Sequence, residues 1–155
     1  MSNVVVTSCA RPASPEASCI RATGYWLSPI ARTADVRRAR LLLETINQRG
    51  ELEPAYPYPV QVWKLGELTW VFLGGEVVVD YSLRVKRNLG SSHVWVSAYC
   101  NDVMAYIPSL RVLKEGGYEG GGAMVYYGLP TVWGTKVEEI IVGAAHEQVK
   151  KVRGR

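Results

Sequence analysis

The stretch that most constrains this chain is residues 101–128, NDVMAYIPSLRVLKEGGYEGGGAMVYYG, in which tyrosines and glycines crowd together. Glycine gives up more backbone entropy on folding than any other residue, and each tyrosine brings a hydroxyl that needs a partner. A segment that only fills a core has no use for both. Such a loop belongs where the backbone must approach another group closely. Its tyrosines are Tyr106, Tyr118, Tyr126 and Tyr127.

The rest of the chain limits what that loop can serve. At 155 residues, 48% of them hydrophobic, the chain suits one domain or one piece of a larger one, with enough apolar material for a core. Five Trp and nine Tyr stand against one Phe, so nearly every aromatic ring carries a polar handle. The formal charge of +4 is not gathered into one patch. Arg32, Arg37, Arg38 and Arg40 read as the solvated face of a helix, and Lys150, Lys151, Arg153 and Arg155 as a helix end favoured by the macrodipole. No nucleic-acid motif accompanies the charge, so no nucleic-acid partner is expected. Cys9, Cys19 and Cys100 are odd in number and irregular in spacing, which argues against a disulfide framework or a zinc ribbon. Cys9 and Cys19 could pair in an oxidising compartment. No apolar run reaches the roughly 18 residues of a membrane span. The N-terminus lacks a basic n-region and a long apolar core, so no signal peptide is read and the chain as written looks cytoplasmic.

Periodicity places the elements. Residues 1–31 show no sustained pattern and are expected to be an irregular lead-in, with Tyr25, Trp26 and Leu27 docking on the body. Thr33 is expected to cap a helix ending near Arg49, with Val36, Ala39, Leu43 and Ile46 on its apolar face and Gly50 as its stop. Pro54, Pro57 and Pro59 then impose extended, polyproline-like geometry. VQVWKL (60–65) and LTWVFL (68–73) predict a hairpin turning at Gly66-Glu67. After Gly74-Gly75-Glu76, a helix is predicted on Val78, Tyr81, Val85 and Leu89, ending at Gly90. VWVSAYC (94–100) predicts a third strand. Pro108 is expected to open a short helix ending at Gly116. Thr135 and Glu138 form a capping box for a last helix burying Val137, Ile141, Ala145, Val149 and Val152.

Little in this pattern resembles familiar catalytic chemistry. His93 precedes a strand and His146 sits mid-helix, each readable as a structural or solvated histidine. Cys100 ends a strand with no evident base nearby. The glycines at 116–122 lack the Lys-Ser/Thr of a phosphate-binding loop. Glu76 stands out: a carboxylate after an apolar strand and two glycines has room for a ligand or metal, or is simply the acid that starts a helix. Tyr106 and Tyr118 carry the same two readings, site residue or packing residue.

The segments LGGEVVVDYSLRVKR, NDVMAYIPS and EGGYEGGGAMVYYGLP resemble the C-terminal part of the catalytic domain of neutral/alkaline non-lysosomal ceramidases, especially the bacterial ceramidase-like branch. The resemblance spans roughly residues 33–150. It implies that Glu76, in a Gly-Glu after a buried strand, and Tyr106, in an Asn-x-x-x-Gly-Tyr-like motif, face a zinc ion, and that Tyr118, in Tyr-Glu-Gly, is a second active-site tyrosine. Asn101 and Glu119 fall on flanking motif positions, and Ala105 stands where the family usually has Gly. The implied activity is zinc-dependent hydrolysis of an N-acyl sphingosine to release fatty acid. Zinc acidifies a bound water, and a tyrosine hydroxyl stabilises the oxyanion. The implied fold is α/β, a mixed β-sheet flanked by helices, with residues 32–155 part of a larger layered α/β catalytic domain. The family's histidine ligands and a substrate arginine come from an upstream half with no counterpart here. The resemblance therefore implies an incomplete fragment, inactive alone, whose partners are a ceramide-like lipid amide and either the missing N-terminal half or a second copy. The family is typically exported. The alternative is a non-catalytic α/β binding or assembly module of the same fold.

Overall fold

The computed structural model describes residues 2–7, 29–53, 55–90 and 92–154, with side chains from Thr33 onward. Cys9, Cys19 and the segment Tyr25–Leu27 lie outside them, as does the docking expected of that segment.

The hairpin forms as its alternation predicts. β2 (Ala55–Leu65) and β3 (Leu68–Leu73) pair antiparallel, Val60 opposite Leu73 and Trp63 opposite Trp70, with Gly66 at φ 60° in the turn. The proline-rich lead-in is not a free polyproline segment. It is the first half of β2, and it pairs with β1 (Ser2–Thr7), Val5 opposite Pro57 and Asn3 opposite Pro59. The Pro59 carbonyl accepts the Gly74 N–H at 3.4 Å. In an extended residue the nitrogen points to the same side as the carbonyl, so the N–H that Pro59 lacks faces past the end of β3, where no ladder bond is lost. β1 falls inside the expected irregular lead-in; its order comes from this pairing rather than from a pattern of its own.

β5 (Val94–Ser97) lies parallel to β3, Thr69 opposite Val94, which requires a crossover connection. α2 (Val79–Leu89) supplies it, with Tyr81 and Val85 buried and Gly90 at φ 88° ending it. The sheet order is β1-β2-β3-β5, a mixed sheet in an α/β fold. α5 (Val137–Arg153) packs across β1 and β2, and α2 packs on β5 and α5. Between them lies the core: Tyr58, Val60, Val71, Leu73 and Val94 from the sheet, and Val137, Ile141, Ala145 and Val149 from α5, as its spacing predicts. Each such aliphatic side chain larger than alanine contributes about 1.5–3 kcal/mol by leaving water. The two tyrosines in this core are satisfied. Tyr58 donates to the Gly74 carbonyl at 2.6 Å and Tyr81 to the Pro108 carbonyl at 3.1 Å.

Three helix expectations are corrected. α1 (Pro29–Arg49) begins before Thr33, and Val36, Leu43 and Ile46 are exposed rather than packed. Arg38 is not on a solvated face: its guanidinium donates to the Leu129 and Pro130 carbonyls, both at 2.7 Å. The short helix α3 (Leu110–Glu115) is capped by Ser109, whose Oγ accepts the Val112 N–H, so Pro108 lies before the cap rather than in the first turn. The capping box at Thr135 does not form. Lys136 is the cap residue of α5, and Glu138 instead accepts from Arg84 and from the Leu110 N–H, both at 2.7 Å. A tertiary charge pair with a backbone donor outcompetes one local bond.

On the face away from α2 and α5, Trp63, Trp70 and Trp95 stand in one cross-strand row, with Phe72 stacked on Trp70 at 4.8 Å. Trp63 and Trp95 are about half exposed.

Candidate functional site

The chain leaving β3 makes a second, two-stranded parallel pair, β4 (Glu76–Val77) with β6 (Tyr106–Ile107). Its register sets Glu76 opposite Tyr106. Gly75 makes this possible. At φ +66°, a Cβ there would lie 2.7 Å from Ile107 Cγ1 and 2.8 Å from the Ala105 carbonyl oxygen. Residues 99–105 are stitched to 73–76 by backbone bonds. Gly75 N–H donates to the Asp102 carbonyl, Glu76 N–H to Ala105, Tyr99 N–H to Gly75 and Cys100 N–H to Leu73, at 2.7–3.0 Å. Ala105 is fully buried and is not among the residues with positive φ, so the methyl group fits where the family motif carries glycine. Asn101 reaches Gln61 at 3.4 Å, and Glu119 is exposed.

Tyr99 has φ 57° and Asn101 φ 69°. A left-handed backbone costs an L-residue about 1–2 kcal/mol; Asn tolerates it and Tyr does not. The Tyr99 and Tyr106 hydroxyls lie near the Glu76 carboxylate, and its interaction with each, with burial second, pushes both phenols up to about 12. Tyr118 is pushed up by burial first and by Tyr126 second. At neutral pH these three phenols are therefore neutral donors. Tyr99 escaped the sequence reading. The sequence places it inside a strand 94–100, whereas β5 ends at Ser97 and the backbone strain at Tyr99 shows only in three dimensions.

Tyr118 opens a kinked turn, Tyr118–Gly122, broken by the extended backbone of Gly121 at φ 170°. Its ring meets Tyr106 edge-on at 5.4 Å and Tyr126 at 6.2 Å. Tyr126 and Tyr127 come from α4 (Met124–Tyr127). The neighbouring glycines serve the loop's own packing: a Cβ on Gly120 would meet the Val112 carbonyl at 2.6 Å, and one on Gly121 would meet Val132 at 2.4 Å. Trp133, buried, donates to the Tyr106 carbonyl at 2.8 Å and holds β6 in place.

Glu76, Tyr106 and Tyr118 are thus brought together, with Tyr99 added. The histidines are not part of the cluster. His93 precedes β5, at the opposite end of that strand from Tyr99, and faces Glu67 at 3.8 Å. His146 lies mid-α5 with a buried Nε2 that has no hydrogen-bond partner among the described residues. Cys100 Sγ donates to the Ala98 carbonyl, and burial raises its pKa, which disfavours a nucleophilic thiolate. Among the described residues no three His, Cys, Asp or Glu side chains converge. One carboxylate with phenols falls short of the four ligands that zinc takes, so the residues present do not make a zinc centre by themselves.

The electrostatics of Glu76 set it apart. Of the part-buried carboxylates among the described residues, Asp80 pairs with Arg111 and Glu138 with Arg84. Glu76 appears in none of the ion pairs formed among the described residues. Fold and site together define an α/β domain with a part-buried carboxylate beside a tyrosine cluster at a strand end. Comparison with protein-family profiles, with curated proteins and with solved structures finds no match.

Proposed function

We propose that this chain carries the carboxylate-and-tyrosine side of a ceramidase-like amide hydrolase site acting on an N-acyl sphingoid base. The observation that supports this reading is convergence. Glu76, Tyr106 and Tyr118 come from three separate motifs, yet Glu76 pairs in register with Tyr106 and the Tyr106 and Tyr118 rings touch. In this reading Tyr118, a protonated donor, hydrogen-bonds the amide carbonyl oxygen as charge builds on it. Glu76 and Tyr106 are the pair that faces the zinc, with Tyr99 beside the Glu76 carboxylate. Zinc, in the family the resemblance points to, supplies an acidified water. The histidines to hold it must come from outside the described residues, because the donors present do not suffice. The test is to titrate zinc into the purified chain and assay fatty-acid release from an N-acyl sphingosine. Without a source of histidines, neither stoichiometric zinc nor turnover is expected; with a complementing histidine-bearing chain, both are. Zinc retention in a Glu76→Gln/Tyr106→Phe double variant overturns the assignment of those two residues.

The row of Trp63, Trp70 and Trp95 favours a second reading, a non-catalytic assembly module. Tryptophans left half exposed on a sheet face are common at protein interfaces. Sedimentation of the chain beside a Trp63→Lys/Trp95→Lys variant tests it: self-association lost in the variant supports assembly through this face, and identical monomers remove self-association.

A further inference from the structure

We infer that the cleft between the β2–β3 turn and the ends of α2 and α5 is a binding site for a phosphate monoester. The cleft holds about 450 Å³, with Lys64 and Thr69 on the sheet side, Leu89 and Gly90 at the end of α2, and Arg153 at the end of α5. That volume suits a small organic ligand. The cleft lies where β3 begins, whereas Glu76 follows the end of β3, so it stands apart from the hydrolase reading.

The first observation is a guanidinium held in place with donors to spare. Thr69 is 1% exposed, and its Oγ1 accepts from Arg153 Nε at 3.1 Å. The Leu89 carbonyl accepts from Arg153 Nη1 at 3.4 Å. Both acceptors are neutral, and Arg153 appears in none of the ion pairs among the described residues. An arginine fork fixed on one side presents the other for two-point recognition of phosphate oxygens.

The second is another cation beside it. Lys64 stands directly opposite Thr69 in the β2–β3 ladder. Side chains opposed in this way share a face and start about 4.5–5.5 Å apart. Lys64 and Arg153 therefore flank the same buried hydroxyl. Lys64 too appears in none of the ion pairs among the described residues. Arg153 also answers the partial negative charge at the end of α2, a role that does not account for Lys64. The carboxylate in the lining, Glu67, sits in the β2–β3 turn, 88% exposed, and faces His93 at 3.8 Å. Two neighbouring cations repel each other unless an anion comes between them.

The third is a match of charge and size. A phosphate monoester carries about −1.5 to −2 at neutral pH, against a single charge on a carboxylate, and two unmatched cations suit the former. Ser92 and His93, whose Oγ and Nδ1 lie 3.1 Å apart, add polar groups to the lining, and Leu89 gives the organic part of the ester an apolar wall.

The experiment is titration of the full chain, at neutral pH and low salt, with phenyl phosphate, inorganic phosphate and phenol, followed by two-dimensional amide NMR. The amides of Thr69, Gly90 and His93 report on the cleft. Phenyl phosphate is expected to shift them and to bind at least about tenfold more tightly than phenol. Inorganic phosphate should shift the same amides at higher concentration. Lys64 is exposed, so Lys64→Gln leaves the core intact, and it should weaken phenyl phosphate about five- to tenfold. Unmoved amides at these three positions, or equal binding of phenyl phosphate and phenol by the unaltered chain, overturns the inference without relying on any variant. Unchanged affinity in Lys64→Gln overturns it too. Inorganic phosphate binding as tightly as phenyl phosphate overturns the assignment to an ester.

Discussion

Glu76 lies directly opposite Tyr106 in the parallel pairing of β4 and β6, and interaction with that carboxylate pushes the phenol up to about 12. Two-residue strands have almost no stability of their own. The pair exists because Gly75 lets the chain leave β3 and run against Ala105 and Ile107, and because Tyr58 and Tyr81 tie Gly74 and Pro108 into the core. The site is therefore as stable as the junction that holds it.

Gly75→Ala is expected to break that junction. The substitution meets a positive φ and sub-contact distances to Ile107 and the Ala105 carbonyl, a cost of about 2–4 kcal/mol from strain and overpacking. Gly66→Ala, at φ +60° with nothing within 4 Å, should lose only about 1–2 kcal/mol. Urea unfolding of both variants checks the contrast; equal losses would place the cost in dihedral strain alone.

Tyr99→Gly should relieve the left-handed strain while removing a ring from the site. Relief of about 1–2 kcal/mol is offset by about 0.5–1 kcal/mol of glycine entropy, so the Tm should hold or rise. Differential scanning calorimetry reads this. A marked fall in Tm would show that the Tyr99 ring is chiefly a packing residue.

Asp80 sets an acid limit on stability. Hydrogen bonds from Arg111 first and Ser109 second hold its carboxyl below the ordinary value of 3.8. A depressed folded-state pKa contributes stability that is present above the unfolded value and lost as pH falls through the folded one. Stability should therefore decline as pH drops below about 4, and Asp80→Asn should flatten that part of the curve and lower the neutral plateau. Chemical denaturation at stepped pH measures both. An unchanged acid slope in Asp80→Asn would assign it to other groups.

Glu138 joins three helices, accepting from Arg84 of α2 and from the Leu110 N–H of α3. Glu138→Ala leaves a part-buried guanidinium and an amide without this partner, for a loss of about 2–4 kcal/mol. Glu139→Ala, removing a far more exposed partner of the same arginine, should cost under about 1 kcal/mol. Thermal unfolding separates them.

Arg38 is the clamp of α1. With Val36, Leu43 and Ile46 exposed, the helix is held to the body at Leu129 and Pro130 through this guanidinium. Arg38→Ala should speed amide exchange along α1 by about an order of magnitude while leaving β3 and α5 protected. Faster exchange across the whole chain would mean that α1 unfolds only with the core.

Local patterns in the sequence carried the hairpin, α2 and the face of α5, whereas Glu76, Tyr106 and Tyr118 were singled out by the resemblance. Alternation and helical spacing are periods set by backbone geometry, and any chain with those periods buries those faces. What only the tertiary structure decided was non-local. β1 and the proline half of β2 are strands because they pair with each other, and the prolines' missing donors point where no bond is due. Glu138 abandons its local cap because Arg84 and Leu110 reach it from other elements. α1 leaves Val36, Leu43 and Ile46 exposed because it meets the body through Arg38 and its Leu41–Leu42 side rather than through that periodic face. Tyr99 joins the site through a left-handed residue that no pattern announces. The sequence alone determined which residues could meet at a strand end. The register of β4 on β6 and the strained turn at Tyr99 decided that they do, around a carboxylate left without a cation among the described residues.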